Sequence, residues 1–487
     1  MSFSNGNLRK YINTLSMIYI EAAYRTLGQT SVYIEYSVNK GLYTEIKGID
    51  QFDDALVSKL KLTMEEIIAQ NLPIHKEKVS REEAIDIFRK QCMADKVRVL
   101  STGKIEQIPL YSIDERKYSF LGGVFDSTGE ITDFDLMPIS RGLVLVYPQA
   151  DNRMNYINQE KLFNIFRESE DWARLMQINN AGDLNMDIQN RQISDTVRIC
   201  EALHEKKIAY IADRIQEKKS ARLILIAGPS SSGKTTFAKR LGIQLRVLGK
   251  HYITIGMDDY FVDRDKTPLG EDGKPNFDAI TALDVEQFNK DLNAILHGEA
   301  VVIPTFNFLS GKREYIREPI QIDKDTYIIV EGIHGLNDRL TASISSDEKF
   351  KIYISALTQL NIDNHNRIAT TDLRLIRRMV RDIRTRGYNA EKTLEMWHNV
   401  VKGENINIFP FQENADVMFN SSLIYELAFL KKHAVPVLSE IPPDSPYYAE
   451  GKRLLTLLEF FNKAGDERAI PNTSIIREFI GGSCFEH

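Results

Sequence analysis

Four residues set the first chemical constraint on this chain. Gly228, Gly233, Lys234 and Thr235 fill the fixed positions of G-x-x-x-x-G-K-[ST] within Leu223-Ile-Leu-Ile-Ala-Gly-Pro-Ser-Ser-Ser-Gly-Lys-Thr-Thr236. The apolar run before the glycines and the helix-forming residues after them supply the strand-then-helix context that the motif needs. Glycines let the backbone curl around phosphates, successive N–H groups point inward, and the following helix adds its positive dipole end. The expectation is a nucleotide-phosphate loop made of Gly228, Pro229, Ser230, Ser231, Ser232, Gly233, Lys234, Thr235 and Thr236. Lys234 would reach the outer phosphates and the Thr235 hydroxyl would hold Mg²⁺.

Two further groups could work on what such a loop binds. Asp258 and Asp259 follow the short apolar segment His251-Tyr-Ile-Thr-Ile255. A carboxylate within reach of an acceptor hydroxyl can take its proton as a phosphoryl group arrives. Arg374, Arg377, Arg378, Arg381, Arg384 and Arg386 form a basic cluster with only Asp382 opposing them inside the run. Spacings of four and three put Arg374, Arg378 and Arg381 on one helical face, where they could form a lid that closes over a nucleotide and stabilises charge on the transferring group.

These groups need elements to hold them. Thr235 to Leu248 reads as a helix stopped by Gly249, and His251–Ile255 and Tyr327–Val330 read as strands, the second ending at Glu331. In parallel α/β sheets the chemistry gathers at the carboxyl ends of the strands, which places the aspartates opposite the loop. The expected fold class is therefore α/β, a mainly parallel sheet flanked by helices, preceded by a separate α+β domain. In that first domain, residues 7–27, 53–70 and 81–90 read as helices, the last opened by a Ser80 to Glu83 capping box. Residues 31–37 and 142–147 read as strands, and 118–131 as a glycine-marked hairpin region. Residues from about 155 to 219 read as a helical linker without a catalytic motif. Past the arginines, Ala434–Leu438 reads as a strand and Leu454–Phe461 as a helix. The domain boundaries expected are 1–150, 151–219 and 220–487.

Composition excludes several classes. At 487 residues the chain is long enough for two or three domains, and 43% hydrophobic with 27% charged side chains is a globular mixture. The net charge of −6 recruits neither nucleic acid nor anionic membrane through a global field. Cys92, Cys200 and Cys484 make no zinc or disulfide pattern. The N-terminus lacks an export core and no apolar run reaches the roughly 20 residues of a membrane span, so a cytoplasmic protein is expected.

The loop, Met257-Asp-Asp-Tyr-Phe-Val-Asp-Arg264, Asn276-Phe-Asp278, Pro304-Thr-Phe-Asn-Phe308, Val330-Glu-Gly-Ile-His-Gly335 and Arg377-Arg-Met-Val-Arg-Asp-Ile-Arg-Thr-Arg-Gly387 resemble, in order, the uridine kinase and phosphoribulokinase family over about 222–420. The resemblance implies a P-loop kinase that uses ATP and Mg²⁺ to phosphorylate a hydroxyl of a nucleoside of the uridine or cytidine type. It makes Asp258 the base, Lys234 a catalytic phosphate ligand, and Arg378, Arg381 and Arg386 the lid. It also makes Asp278 and Phe306 substrate-binding, and Thr235 and Glu331 the magnesium ligands. Uridine and cytidine kinases place a tyrosine and a histidine where this chain has Phe306 and Gly311, and an arginine where it has Tyr388. Phe306 could stack on a base without hydrogen-bonding to it.

Asn71-Leu-Pro-Ile-His-Lys-Glu-Lys-Val-Ser-Arg-Glu-Glu-Ala84 and the Ser127–Ile131 turn resemble the editing domain of threonyl-tRNA synthetases over the first 150 residues. That family's metal-type ligands would fall on Leu15, Tyr19, Phe120 and Val124, so the resemblance implies an editing-like domain without its catalytic set. The fusion resembles bacterial uridine kinase-like nucleoside kinases. Two other readings remain open: a sugar-phosphate kinase of the phosphoribulokinase kind, and a nucleotide-gated RNA-binding or regulatory module. RNA has no support from aromatic interleaving of the basic cluster.

Overall fold

Local signals place the early elements. A computed structural model of the chain describes residues 5–38, 41–148, 159–270, 273, 275–307 and 310–485. The first four residues, the start of the expected linker (155–158) and Phe308 lie outside the described residues. The chain runs through α1 (Asn5–Leu27), β1 (Val32–Val38), β2 (Gly41–Ile46), α2 (Asp54–Ala69), β3 (His75–Ser80), α3 (Arg81–Lys90) and α4 (Ala94–Thr102). It continues through β4 (Gln107–Ile113), β5 (Arg116–Tyr118), β6 (Asp135–Ile139), β7 (Gly142–Val146), α5 (Glu160–Met176), α6 (Ala181–Gln189) and α7 (Ile193–Glu217). Asp53 and Ser80 accept from Leu56 N and Glu83 N, which explains why α2 and α3 begin where they do.

The later part comprises β8 (Leu223–Ala227), α8 (Lys234–Val247), β9 (His251–Gly256), α9 (Val285–Leu296), β10 (Thr305–Asn307), β11 (Lys312–Glu314) and β12 (Thr326–Glu331). It ends with β13 (Lys349–Ser355), α10 (Thr370–Thr385), α11 (Ala390–Asn407), β14 (Val417–Asn420), α12 (Glu426–Ser439), α13 (Tyr448–Glu459) and α14 (Arg477–Ile480).

Two compact units emerge. The first is Met1–Thr196 with Thr358–Leu373 and Leu423–Glu467; the second is Val197–Leu357 with Arg374–Ser422 and Arg468–His487. These units do not coincide with boundaries at 150 and 219, because two later stretches cluster with the N-terminal residues and no local signal announces such a return. The first unit contains an antiparallel sheet of order β1-β2-β7-β6 and a smaller one of order β3-β4-β5. Its main core gathers Leu15, Ile18 and Tyr19 of α1 with Ile34, Leu42, Leu143 and Leu145 of the sheet. Leu15, Tyr19, Phe120 and Val124 are all buried there, and the Tyr19 hydroxyl accepts from Thr44.

The second unit holds a five-stranded parallel sheet of order β14-β13-β8-β12-β9, the α/β arrangement expected. β8 lies at its centre and is buried throughout, as the unbroken Leu223–Ala227 apolar run requires. Two expectations fail. Residues 118–131 are not a hairpin: β5 ends at Tyr118, and the glycines lead into a 3₁₀ turn at Thr128–Glu130. Ala434–Leu438 is not a strand but the last part of α12, where Leu427, Leu430, Ala434, Val437 and Leu438 are buried at helical spacing. The β-branched pair there is overridden by the longer helical pattern. Among the described residues no helix is long and apolar enough to cross a membrane.

Candidate active site

The loop after β8 fits phosphates by several independent features. A Cβ on Gly228 would lie 2.0 Å from the Ile354 carbonyl oxygen, so only glycine fits where the loop leaves the sheet. Gly233 caps α8 with φ +83°, in the left-handed region that favours glycine. The hydroxyls of Ser231 and Ser232 are buried with no hydrogen-bond partner among the described residues. Buried polar groups are normally paired, so a cradle with two orphaned hydroxyls suits a polar, oxygen-rich guest. Lys234 donates to the carbonyls of Gly228 (2.9 Å) and Pro229 (3.2 Å). Burial lowers its pKa, against the pull of Glu331, Glu478 and Glu404.

The carboxyl ends of three adjacent strands meet this loop. The Thr235 hydroxyl donates to Glu331 at 3.0 and 3.1 Å from the two carboxylate oxygens, joining the start of α8 to the end of β12. Glu331 pairs in register with Gly256 of β9. Two residues past Gly256, in the 3₁₀ turn Met257–Tyr260, stands Asp258. Burial raises the pKa of Glu331 despite Lys234 and Thr235. The Asp258 carboxyl is also pushed up by the protein around it, with Asp259 adding and Lys234 opposing, although its side chain still reaches solvent. Asp258 makes no ion pair among the described residues, whereas Asp259 is held by Arg317 at 2.9 Å. A hydroxyl and one carboxylate beside a phosphate loop fit Mg²⁺, which keeps several waters and takes its other ligands from phosphates.

The acceptor-side residues occupy different environments. Asp278 is half-buried beside α11, where a Cβ on Gly403 would come within 2.7 Å of its carboxylate. Burial raises its pKa, Glu404 and Asp258 add to that, and Arg378 opposes it. Phe306 is 4% exposed and packs edge-on against Phe261 at 5.5 Å, within the core of this unit. Its ring is already used in packing. Gly311 has φ +70° and faces Arg264, whose Cβ would be 2.8 Å from a Cβ at 311. Arg264 thus stands against Gly311. Tyr388 is 36% exposed.

The arginines of α10 and of the turn after it make different contacts. Arg378 donates to the Ser230 hydroxyl at 2.8 Å and pairs with the fully buried Asp382 at 3.1 Å. Arg381 and Arg386 pair with the same aspartate at 3.2 and 3.4 Å. One buried carboxylate therefore gathers all three lid candidates. Arg374 and Arg377, named in the cluster but not among the three lid candidates, contact the loop directly. Arg374 donates to the Ser230 carbonyl (3.1 Å) and forms a bidentate pair with Glu404 (2.6 and 2.8 Å), while Glu404 also accepts from Ser230 N at 2.8 Å. Arg377 donates to the Ser231 carbonyl (3.3 Å) and to Ser421. Arg374 carried the signal of a shared face with Arg378 and Arg381, and Arg377 only that of membership of the cluster.

The sequence that carries this site has relatives among known proteins. The profile of the Phosphoribulokinase / Uridine kinase family matches residues 223–426. A uridine kinase of Halalkalibacterium halodurans is 30% identical over 197 residues, covering 40% of this chain and 84% of its own. The chain belongs to the phosphoribulokinase/uridine kinase family. A Staphylococcus haemolyticus uridine kinase is likewise 30% identical over 197 residues, covering 40% of this chain and 86% of its own. A solved structure of a possible uridine kinase from Bacillus stearothermophilus is 23% identical, covers 44% of this chain and 98% of that one, and has a TM-score of 0.28. The family match takes in the loop, Asp258, Asp278, Glu331 and the arginines of α10, and the chain is a kinase of this family.

Proposed function

We propose that the second unit transfers the γ-phosphoryl group of ATP, with Mg²⁺, to a hydroxyl of a nucleoside of the uridine or cytidine type. The observation that carries this reading is the junction of Thr235 and Glu331 at the phosphate loop, with Asp258 on the neighbouring strand end. A P-loop with a metal site alone would suit a switch or a motor; a carboxylate just past the adjacent strand, with no ion pair among the described residues, adds a proton acceptor. When bound, Mg²⁺ neutralises charge on the phosphates, with Thr235 and Glu331 as its protein ligands. Lys234 and the amides from Gly228 to Thr236 hold the phosphates. Asp258 takes the proton of the acceptor hydroxyl, and Asp278 orients the acceptor. Arg378, Arg381 and Arg386 stabilise the charge that develops on the transferring group.

The acceptor half sets the degree of selectivity. With glycine at 311 and a buried phenylalanine at 306, fewer polar groups can read the base, and discrimination among pyrimidines weakens when a site lacks hydrogen-bonding partners. Label transfer from ATP to a panel of nucleosides and sugar phosphates tests the reading. Transfer to uridine or cytidine, lost in Lys234→Ala, supports it. Transfer only to a sugar phosphate would move the acceptor to that class, and intact ATP binding with no transfer to any acceptor would overturn the kinase assignment.

A further inference from the structure

A carboxylate stands at the phosphate loop without a part in the chemistry above. The Thr236 hydroxyl, in the first turn of α8, donates to Glu478 Oε2 at 2.8 Å. Glu478 also acts on the charges of Lys234 and Glu331, so it belongs to the same electrostatic neighbourhood. An anion is favoured there because the first N–H groups of a helix and its dipole face it, the same physics that draws a nucleotide phosphate. One hydroxyl proton cannot be donated to a carboxylate oxygen and a phosphate oxygen at once, and two anions brought to the same hydroxyl repel each other.

The stretch that carries Glu478 is firmly placed. Ser474, Ile475, Ile476 and Phe479 are fully buried. Ile475 covers the loop so closely that a Cβ on Gly233 would come within 2.4 Å of its Cγ2. Arg384 of α10 donates to the Phe479 carbonyl at 2.6 Å, and the Arg377 guanidinium lies 4.9 Å from the Phe479 ring centroid. This segment therefore touches both the phosphate loop and the arginine helix, the two parts that embrace the donor.

We infer that Glu478 is a donor-site residue that competes with a nucleotide phosphate for Thr236, so that ATP binding displaces its carboxylate and loosens the segment around it. The inference rests on the reading that the loop binds ATP. Glu478→Gln keeps the size and the hydrogen-bonding capacity of the side chain and removes its charge. By calorimetry on the full chain, this variant is expected to bind Mg·ADP roughly tenfold more tightly than the native chain, a charged hydrogen bond and a like-charge repulsion being removed together. Adenosine, which brings no phosphate, should bind both chains alike. Hydrogen exchange at Ser474–Ile480 in the native chain should rise when Mg·ADP is added.

Equal or weaker Mg·ADP binding by Glu478→Gln overturns the inference and leaves the kinase reading standing. Tighter Mg·ADP binding with no transfer to any acceptor sinks the kinase reading and supports the inference. An equal gain for adenosine, or no nucleotide binding by either chain, overturns the inference.

Discussion

Asp258 and Asp259 carry the same side chain and meet different fates. Arg317 occupies Asp259, while Asp258 has no ion pair among the described residues and its surroundings push its carboxyl above the usual aspartate range. The motif offered two adjacent acids, and only a partner from far along the chain separates them. Asp258→Asn is expected to lower kcat by roughly 10²–10⁴, the range for loss of a positioned general base, with ATP binding retained. Asp259→Asn should cost far less, because it removes one salt bridge that is partly open to solvent. The base works only when deprotonated, so the rate should rise with pH through the Asp258 pKa. The raised pKa places that rise above the value near 3.9 of an ordinary aspartate. Equal losses in the two variants, or a pH–rate profile whose acidic limb survives Asp258→Asn unchanged, would count against the assignment.

The helix α10 shows what periodicity can and cannot tell. Its spacing put Arg374, Arg378 and Arg381 on one face; Arg374 and Arg378 meet the loop after β8, Arg374 also meets Glu404 of α11, and no local pattern encodes those meetings. Arg374 and Glu404 form a buried bidentate pair that also grips both polar groups of the Ser230 backbone. Removing one partner strands a charge in the interior, and Arg374→Met should destabilise this unit by about 3–5 kcal/mol in denaturant unfolding. The double variant Arg374→Met/Glu404→Leu should recover most of that loss, since replacing a whole buried pair by apolar groups is often neutral. A double variant no more stable than the single one would mean that Glu404 acts mainly through Ser230 N. The phosphate loop was legible for the opposite reason: glycine, lysine and threonine are demanded there by backbone geometry and by the ligand within a few consecutive residues. In α12, the tertiary pattern from Leu427 to Leu438 outweighed the strand preference of Val435 and Val437.

At the scale of the whole chain, each compact unit is assembled from three separated stretches, and in the first unit ion pairs join them. Lys96 of α4 meets Asp363 at 2.8 Å with both side chains buried, and Arg453 of α13 grips Asp372 at 2.7 and 2.8 Å. Such partners lie far apart in sequence, which is why a reading by local segments drew the boundaries elsewhere. The same unit lines a cavity of about 540 Å³ with Glu35, Glu45, Asp95 and Glu170. Glu35 forms no ion pair among the described residues; burial first and Glu45 second push its pKa up to about 7, against Arg174 and Arg141. A carboxyl whose folded pKa lies above its unfolded value near 4.3 makes the folded state the better proton binder. Its contribution to stability is therefore complete below about pH 4 and is lost as pH rises through about 7. Glu35→Gln cannot ionise and escapes that loss. The melting temperature of the variant should match the native chain near pH 4 and exceed it increasingly between about pH 5 and pH 8, by the equivalent of about 1–2 kcal/mol once solvent contact is discounted. A difference that stays constant across that range would show that Glu35 already titrates as an ordinary surface glutamate and that the carboxylates lining this cavity do not act on one another.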